Sequence, residues 1–135
     1  MYYPLICNVQ QKSLNILSGL YYAKMGKKEI LLENYQEYFE SAERALQMKK
    51  YNAAATLFFK AICGAADLFV LQREGIVPSS HTHRFRIVQE KYPEVYEILN
   101  RDFPFYQDSY SKRLDRERVE MLKEDAQTIK RMAEN

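Results

Sequence analysis

Several things are scarce in this chain, and each scarcity removes a class of protein. Two cysteines, Cys7 and Cys63, stand in apolar surroundings among 135 residues. They provide neither a disulfide framework nor a metal-ligand spacing, and a free thiol in such a context packs as a small hydrophobe. A reducing, cytoplasmic setting is the expectation. Four glycines and four prolines, with no Gly/Ser-rich tract and no fixed-period repeat, argue against a linker, hinged domains or a solenoid. The opening Met1-Tyr2-Tyr3-Pro4 lacks the early positive charge of a secretory leader. No apolar run reaches the roughly 18 residues that span a bilayer, so membrane insertion is disfavoured as well. A net charge of +2 is too mild to argue for nucleic acid by itself. Histidine is confined to His81 and His83.

What is present points to helices. A chain of 135 residues is most simply one domain, residues 1–135, able to bury roughly two thirds of its unfolded surface. From Asn52 to Val70 the only formal charges are Lys60 and Asp67, so a helix there must be buried on nearly every side. Ala53, Ala54, Ala55, Ala61, Gly64, Ala65 and Ala66 allow close backbone approach, while Leu57, Phe58, Phe59, Ile62, Leu68 and Phe69 fill volume. The fold class that follows is all-α, an up-and-down bundle of four to five main helices.

The remaining segments fit that class. Pro4 to Lys24 has irregular helical spacing, and Met25-Gly26-Lys27-Lys28 reads as a stop. Leu31 to Lys49 carries Tyr35, Phe39, Ala42 and Leu46 along one stripe. Gly75 supplies a left-handed cap to the buried helix, and Ser80 with His81 caps the next. Pro93 kinks or opens a helix, and Pro104 reads as a second break. Asp115 caps a last helix with Val119, Leu122, Ala126, Ile129 and Ala133 inward and Arg116 paired with Glu120.

Three stretches taken together resemble a known family. They are Asn34-Tyr35-Gln36-Glu37-Tyr38-Phe39-Glu40-Ser41-Ala42-Glu43-Arg44-Ala45-Leu46, then Tyr51-Asn52-Ala53-Ala54-Ala55, then Gly75-Ile76-Val77-Pro78-Ser79-Ser80-His81. In that order they resemble the HEPN superfamily (higher eukaryotes and prokaryotes nucleotide-binding). Its members have a long first helix, a short Tyr-Ala turn into a buried second helix, a Gly-Ile-x-Pro-x-Ser-His junction and an amphipathic last helix. The resemblance covers residues 31–133 and leaves residues 1–30 as an N-terminal helical extension.

Several expectations follow from the resemblance. Catalytic members cut RNA with an Arg, four to six residues, then His near the last long helix. Here Arg101 fits the first position, but Tyr106 follows and no His occurs beyond His83, so the imidazole expected of a ribonuclease is missing from the motif. The expected function is therefore a non-catalytic helical interaction module that forms a homodimer and works with a nucleotidyltransferase-type partner, a nucleotide or RNA. The family's working surface maps to Arg101, Tyr106, Tyr110 and Arg113, which combine guanidinium donors with stacking faces. No catalytic residue, metal ligand or cofactor is assigned. The alternatives are an RNA-cleaving toxin in which Tyr106 or Tyr110 replaces the His, and a peptide-binding helical-repeat adaptor.

Other polar residues receive plainer readings. His81 and His83 read as junction residues in place of a metal pair, and Arg84 with Arg86 as a solvated basic spot. Lys60 is expected to snorkel or pair with a carboxylate. The apolar Tyr2, Tyr3, Leu5, Ile6, Leu17, Tyr21 and Tyr22 motivate the dimer, since a two-fold interface buries one patch twice.

Overall fold

The computed structural model describes residues 26–135, and every regular element among them is helical. Lys27–Gln47 (α1), Tyr51–Glu74 (α2), His81–Lys91 (α3), Pro93–Asp108 (α4) and Arg116–Glu134 (α5) make an all-α bundle, as expected. Gly26 is the N-cap of α1, so the run read as a stop is a start. The helix expected over Pro4 to Lys24, Cys7, and the apolar residues behind the dimer expectation lie outside the described residues.

α2 is the axis, packed chiefly between α1 and α5. Phe58, Phe59, Ile62, Leu68, Phe69 and Val70 are essentially inaccessible to solvent. Burying side chains of that size stabilises the fold by about 1.5–3 kcal/mol each. Small residues set the approach of α1: a β carbon at Gly64 would lie 3.8 Å from the Tyr35 Cα. One sequence expectation fails here. α2 is long and apolar enough to cross a membrane by length and composition, and 72% of its most apolar window is buried inside the bundle. Lys60 and Asp67 interrupt the apolar run in the sequence without lowering its mean hydropathy enough to exclude it.

Chain ends of the helices are closed by local chemistry. The Lys50 N–H donates to the Ala45 carbonyl (2.9 Å) and the Lys49 N–H to that of Leu46 (3.0 Å), the paired bonds of a Schellman ending. Lys49 occupies its left-handed position at φ 59°. Gly75, at φ 75°, ends α2 without a side-chain penalty. Ser80 Oγ accepts from the His83 N–H (3.1 Å), and Asp115 Oδ1 from that of Arg118 (3.0 Å), so both expected N-caps hold. The partner that completes the α3 cap is His83, whose Nδ1 accepts from the Ser79 N–H (3.0 Å); His81 turns elsewhere. Arg116 pairs with Glu120 at 3.5 Å.

α4 corrects the reading of Pro104 as a break, because the helix continues through it to Asp108. Proline removes one N–H from the helical ladder. Phe103, Phe105 and Tyr106 pack against the core around it and hold the last turn in place. Pro93 opens the helix in its first turn, where its missing N–H costs nothing.

Candidate ligand-binding site

A cavity of about 220 Å³ opens where α1, α2, α3 and α4 meet. Helical periodicity assembles it. On α2, Phe59, Lys60, Cys63, Gly64 and Asp67 share one face, and Leu31, Asn34 and Tyr38 share one on α1. α3 adds His81 and Arg84, one turn apart, and α4 adds Tyr106. Lys60 is exposed at this cavity, with Nζ 5.5 Å from the Tyr38 ring centre, so it snorkels and makes no ion pair among the described residues.

The polar centre is a chain of three side chains. Arg84 Nε donates to Asp67 Oδ1 (2.7 Å) and Nη2 to Oδ2 (2.8 Å), a bidentate pair with both partners buried. The reading of Arg84 as part of a solvated basic spot is therefore wrong. Burial alone disfavours its cation, and the bonded Asp67 carboxylate outweighs that, so its pKa is raised. The third link runs from Arg84 Nη1 to His81 Nδ1 at 2.9 Å. A guanidinium only donates, so Nδ1 accepts and the neutral ring carries its proton on Nε2. Burial, then the Arg84 charge, pushes the His81 pKa down. His81 is thus a neutral hydrogen-bond donor at neutral pH. Cys63 lines the same space, but burial lifts its thiol to about 11, which leaves it protonated and unreactive.

Aromatic rings wall the site. Tyr106 stacks on Phe59 at 5.0 Å, and the His81 ring centre lies 6.5 Å from that of Tyr106. One face of Tyr106 is thereby covered. Its hydroxyl meets that of Tyr110 at 2.9 Å, a bond that, followed by burial, raises the Tyr106 pKa. Tyr110 is 77% exposed and offers the freer stacking surface.

The loop that carries Tyr110 and Arg113 is tied down from α2. Asn52 Nδ2 donates to the carbonyls of Ser109 (3.0 Å) and Lys112 (2.6 Å), while its Oδ1 accepts from the Leu114 N–H (2.9 Å). Thr56 adds a hydroxyl contact to Ser109 (3.1 Å), and Leu114 is buried. Arg113 is exposed on this loop and makes no ion pair among the described residues. Lys112, Arg116 and Arg118 are each paired locally, with Asp108, Glu120 and Asp115.

Of the residues that sequence groups into one surface, the structure brings Tyr106 and Tyr110 together and keeps Arg113 on the adjoining loop. Arg101 is separate. It points to α5, where Nη2 donates to Asp125 Oδ2 at 2.7 Å and Nε lies 3.5 Å from Asp102 Oδ1. Asp102 is fully buried and its carboxylate finds no hydrogen-bond donor of good geometry. Burial, reinforced by the neighbouring Asp125, pushes it up to about 8, so a proton retained on Asp102 can be donated to Asp125. Arg101 is held by this α4–α5 arrangement and does not reach the cavity.

Among the described residues no three His, Cys, Asp or Glu side chains converge as a metal site. Comparison with known proteins returns no matching family model and no matching curated protein. The contributors that sequence reasoning missed are His81 and Arg84 as cavity residues, and Asn52 as the loop's anchor. One signal was available: Asp67, an acid inside an apolar helix, requires a buried cation.

Proposed function

We propose that this chain is a non-catalytic helical interaction module of the HEPN type, a homodimer that acts with a nucleotidyltransferase-type partner and contacts a nucleotide or RNA at the cavity and the adjoining α4–α5 loop. The order of the sequence features and the all-helical bundle support the module reading. A donor-lined cavity beside an exposed tyrosine supports nucleotide or RNA contact.

One observation favours binding over cleavage. The motif comparison left the site without an imidazole, yet His81 stands beside Tyr106. Its Nδ1 lone pair is occupied by Arg84, a group that does not release its proton, and Nε2 already carries hydrogen. A general base needs a free lone pair, and a general acid of this type needs the imidazolium that burial and Arg84 disfavour. His81 in this arrangement holds a ligand without moving its protons.

The test is incubation of the native chain with single-stranded RNA in the absence of added metal, with binding and strand length followed together. Binding with intact RNA is expected, and so is weaker binding by a Tyr110→Ala, Arg113→Ala double variant. Robust cleavage that is lost in His81→Phe would favour the toxin reading. Sedimentation at low micromolar concentration is expected to give the dimer mass.

A further inference from the structure

Resting on that reading, we propose that the cavity between α1, α2, α3 and α4 is a phosphate-binding site, which receives the phosphoryl group of a nucleotide or of an RNA end while Tyr110 and Arg113 contact the remainder.

Charge and hydrogen-bond inventory carry the assignment. Asp67 is the one carboxylate among the described residues that line the cavity, and both of its oxygens accept from Arg84, so this pair is internally neutral. Among the described residues no carboxylate pairs with Lys60, the second cation at the cavity. Of the five N–H groups of a guanidinium, three of those on Arg84 are engaged by Asp67 and His81, which leaves two. His81 presents Nε2–H, Lys60 its ammonium hydrogens, and Tyr38 its hydroxyl. Among the described residues the lining is rich in donors, carries net positive charge and has no free carboxylate. Such a space favours a compact oxyanion with several acceptor oxygens. His81 is also the first residue of α3, so the positive end of that helix adds to the potential. Size agrees: about 220 Å³ is below the usual volume of a site for a whole drug-sized ligand and suits a single group.

The experiment titrates the full chain with inorganic phosphate, adenosine, adenosine monophosphate, and one short RNA bearing a 5′-phosphate, a 3′-phosphate or neither. Histidine and lysine side-chain NMR signals report the site, and affinity is measured in parallel. Phosphate and the monophosphate are expected to shift the His81 and Lys60 signals, whereas adenosine leaves them in place. A bound anion should also raise the His81 titration midpoint. Lys60→Gln, at an exposed position, and His81→Phe, which keeps an aromatic ring against Phe59, are each expected to weaken phosphate-bearing ligands about tenfold. Tenfold preference for a phosphorylated RNA end identifies the strand terminus as the source. Preference for the monophosphate identifies the free nucleotide. RNA binding that ignores the terminal phosphate and both variants, yet falls in Tyr110→Ala, Arg113→Ala, overturns this site and leaves the interaction-module reading standing. Absence of binding by every ligand overturns the site and the nucleotide reading together.

Discussion

Asp102→Asn is expected to stabilise the protein at alkaline pH and to flatten its pH dependence. In the folded chain the Asp102 carboxyl sits at about 8, against an ordinary value of 3.8, because burial and the adjacent Asp125 oppose its ionisation. Between those values the folded state keeps a proton that the unfolded state has released. For this group stability is greatest at low pH and declines as pH rises through the folded value. Each pH unit in that window is worth at most about 1.4 kcal/mol. From pH 5 to 8 the ceiling is about 4 kcal/mol, and sharing of the proton with Asp125 and relaxation of Arg101 lower it to about 2–4 kcal/mol.

Asparagine keeps the shape, cannot ionise, and offers Nδ2–H to Asp125 in place of the acid proton. The chain has no tryptophan, so urea unfolding is followed by far-ultraviolet circular dichroism at pH 5, 6.5 and 8. Titrating groups remote from this cluster affect both proteins alike, and the difference between them isolates Asp102 with its neighbours Asp125 and Arg101. The variant should match the native chain near pH 5 and exceed it by about 2–4 kcal/mol at pH 8. Parallel stability profiles, or a variant less stable at pH 8, would refute the buried-proton argument.

Lys49→Gly should raise stability by about 1 kcal/mol in thermal unfolding, because glycine removes the side-chain penalty at the left-handed position that ends α1. Asn52→Ala should cost about 1–3 kcal/mol by freeing the Ser109 and Lys112 carbonyls and the Leu114 N–H, and hydrogen exchange in residues 109–115 should accelerate. Unchanged exchange there would mean that Leu114 alone anchors the loop. Arg84→Met should cost about 3–5 kcal/mol by leaving Asp67 buried and unpaired, while Asp67→Leu with Arg84→Met should return within about 1–2 kcal/mol of the native chain. A double variant as unstable as the single one would show that shape, not charge, governs that position.

Features governed by near neighbours are legible in the amino-acid sequence. Gly75 ends α2, Ser80 and Asp115 open α3 and α5, and the near absence of charge from Asn52 to Val70 marks the buried helix, because each rule operates within a turn or two of chain. The spacing of Tyr106 and Tyr110 placed them together for the same reason. Arg84 was misread, and the pairing of Arg101 was missed, because their partners Asp67 and Asp125 belong to other helices. Proximity of Arg84 to Arg86 in sequence suggested a basic patch, but a helix turns them to different surroundings, one buried and one exposed. Pro104 was misread because aromatic packing on both sides of it is a tertiary effect that local propensity does not contain.

The lone acid of α2 links fold and site. An ion pair buried between helices contributes little net stability, since desolvation of both charges offsets their attraction, and apolar residues of similar volume often serve as well. Stability is therefore a poor account of why Asp67 interrupts an otherwise apolar face. Its effect on Arg84 is more specific. Two bonds from Asp67 fix the guanidinium plane, and that orientation directs Nη1 at His81 Nδ1. Asp67 thereby sets, through Arg84, which nitrogen of His81 carries hydrogen. If this is its purpose, the apolar double variant should stay folded while His81 loses its fixed tautomer, visible by NMR, and phosphate affinity should fall in step. A stable double variant with native His81 behaviour would separate the pair from the site.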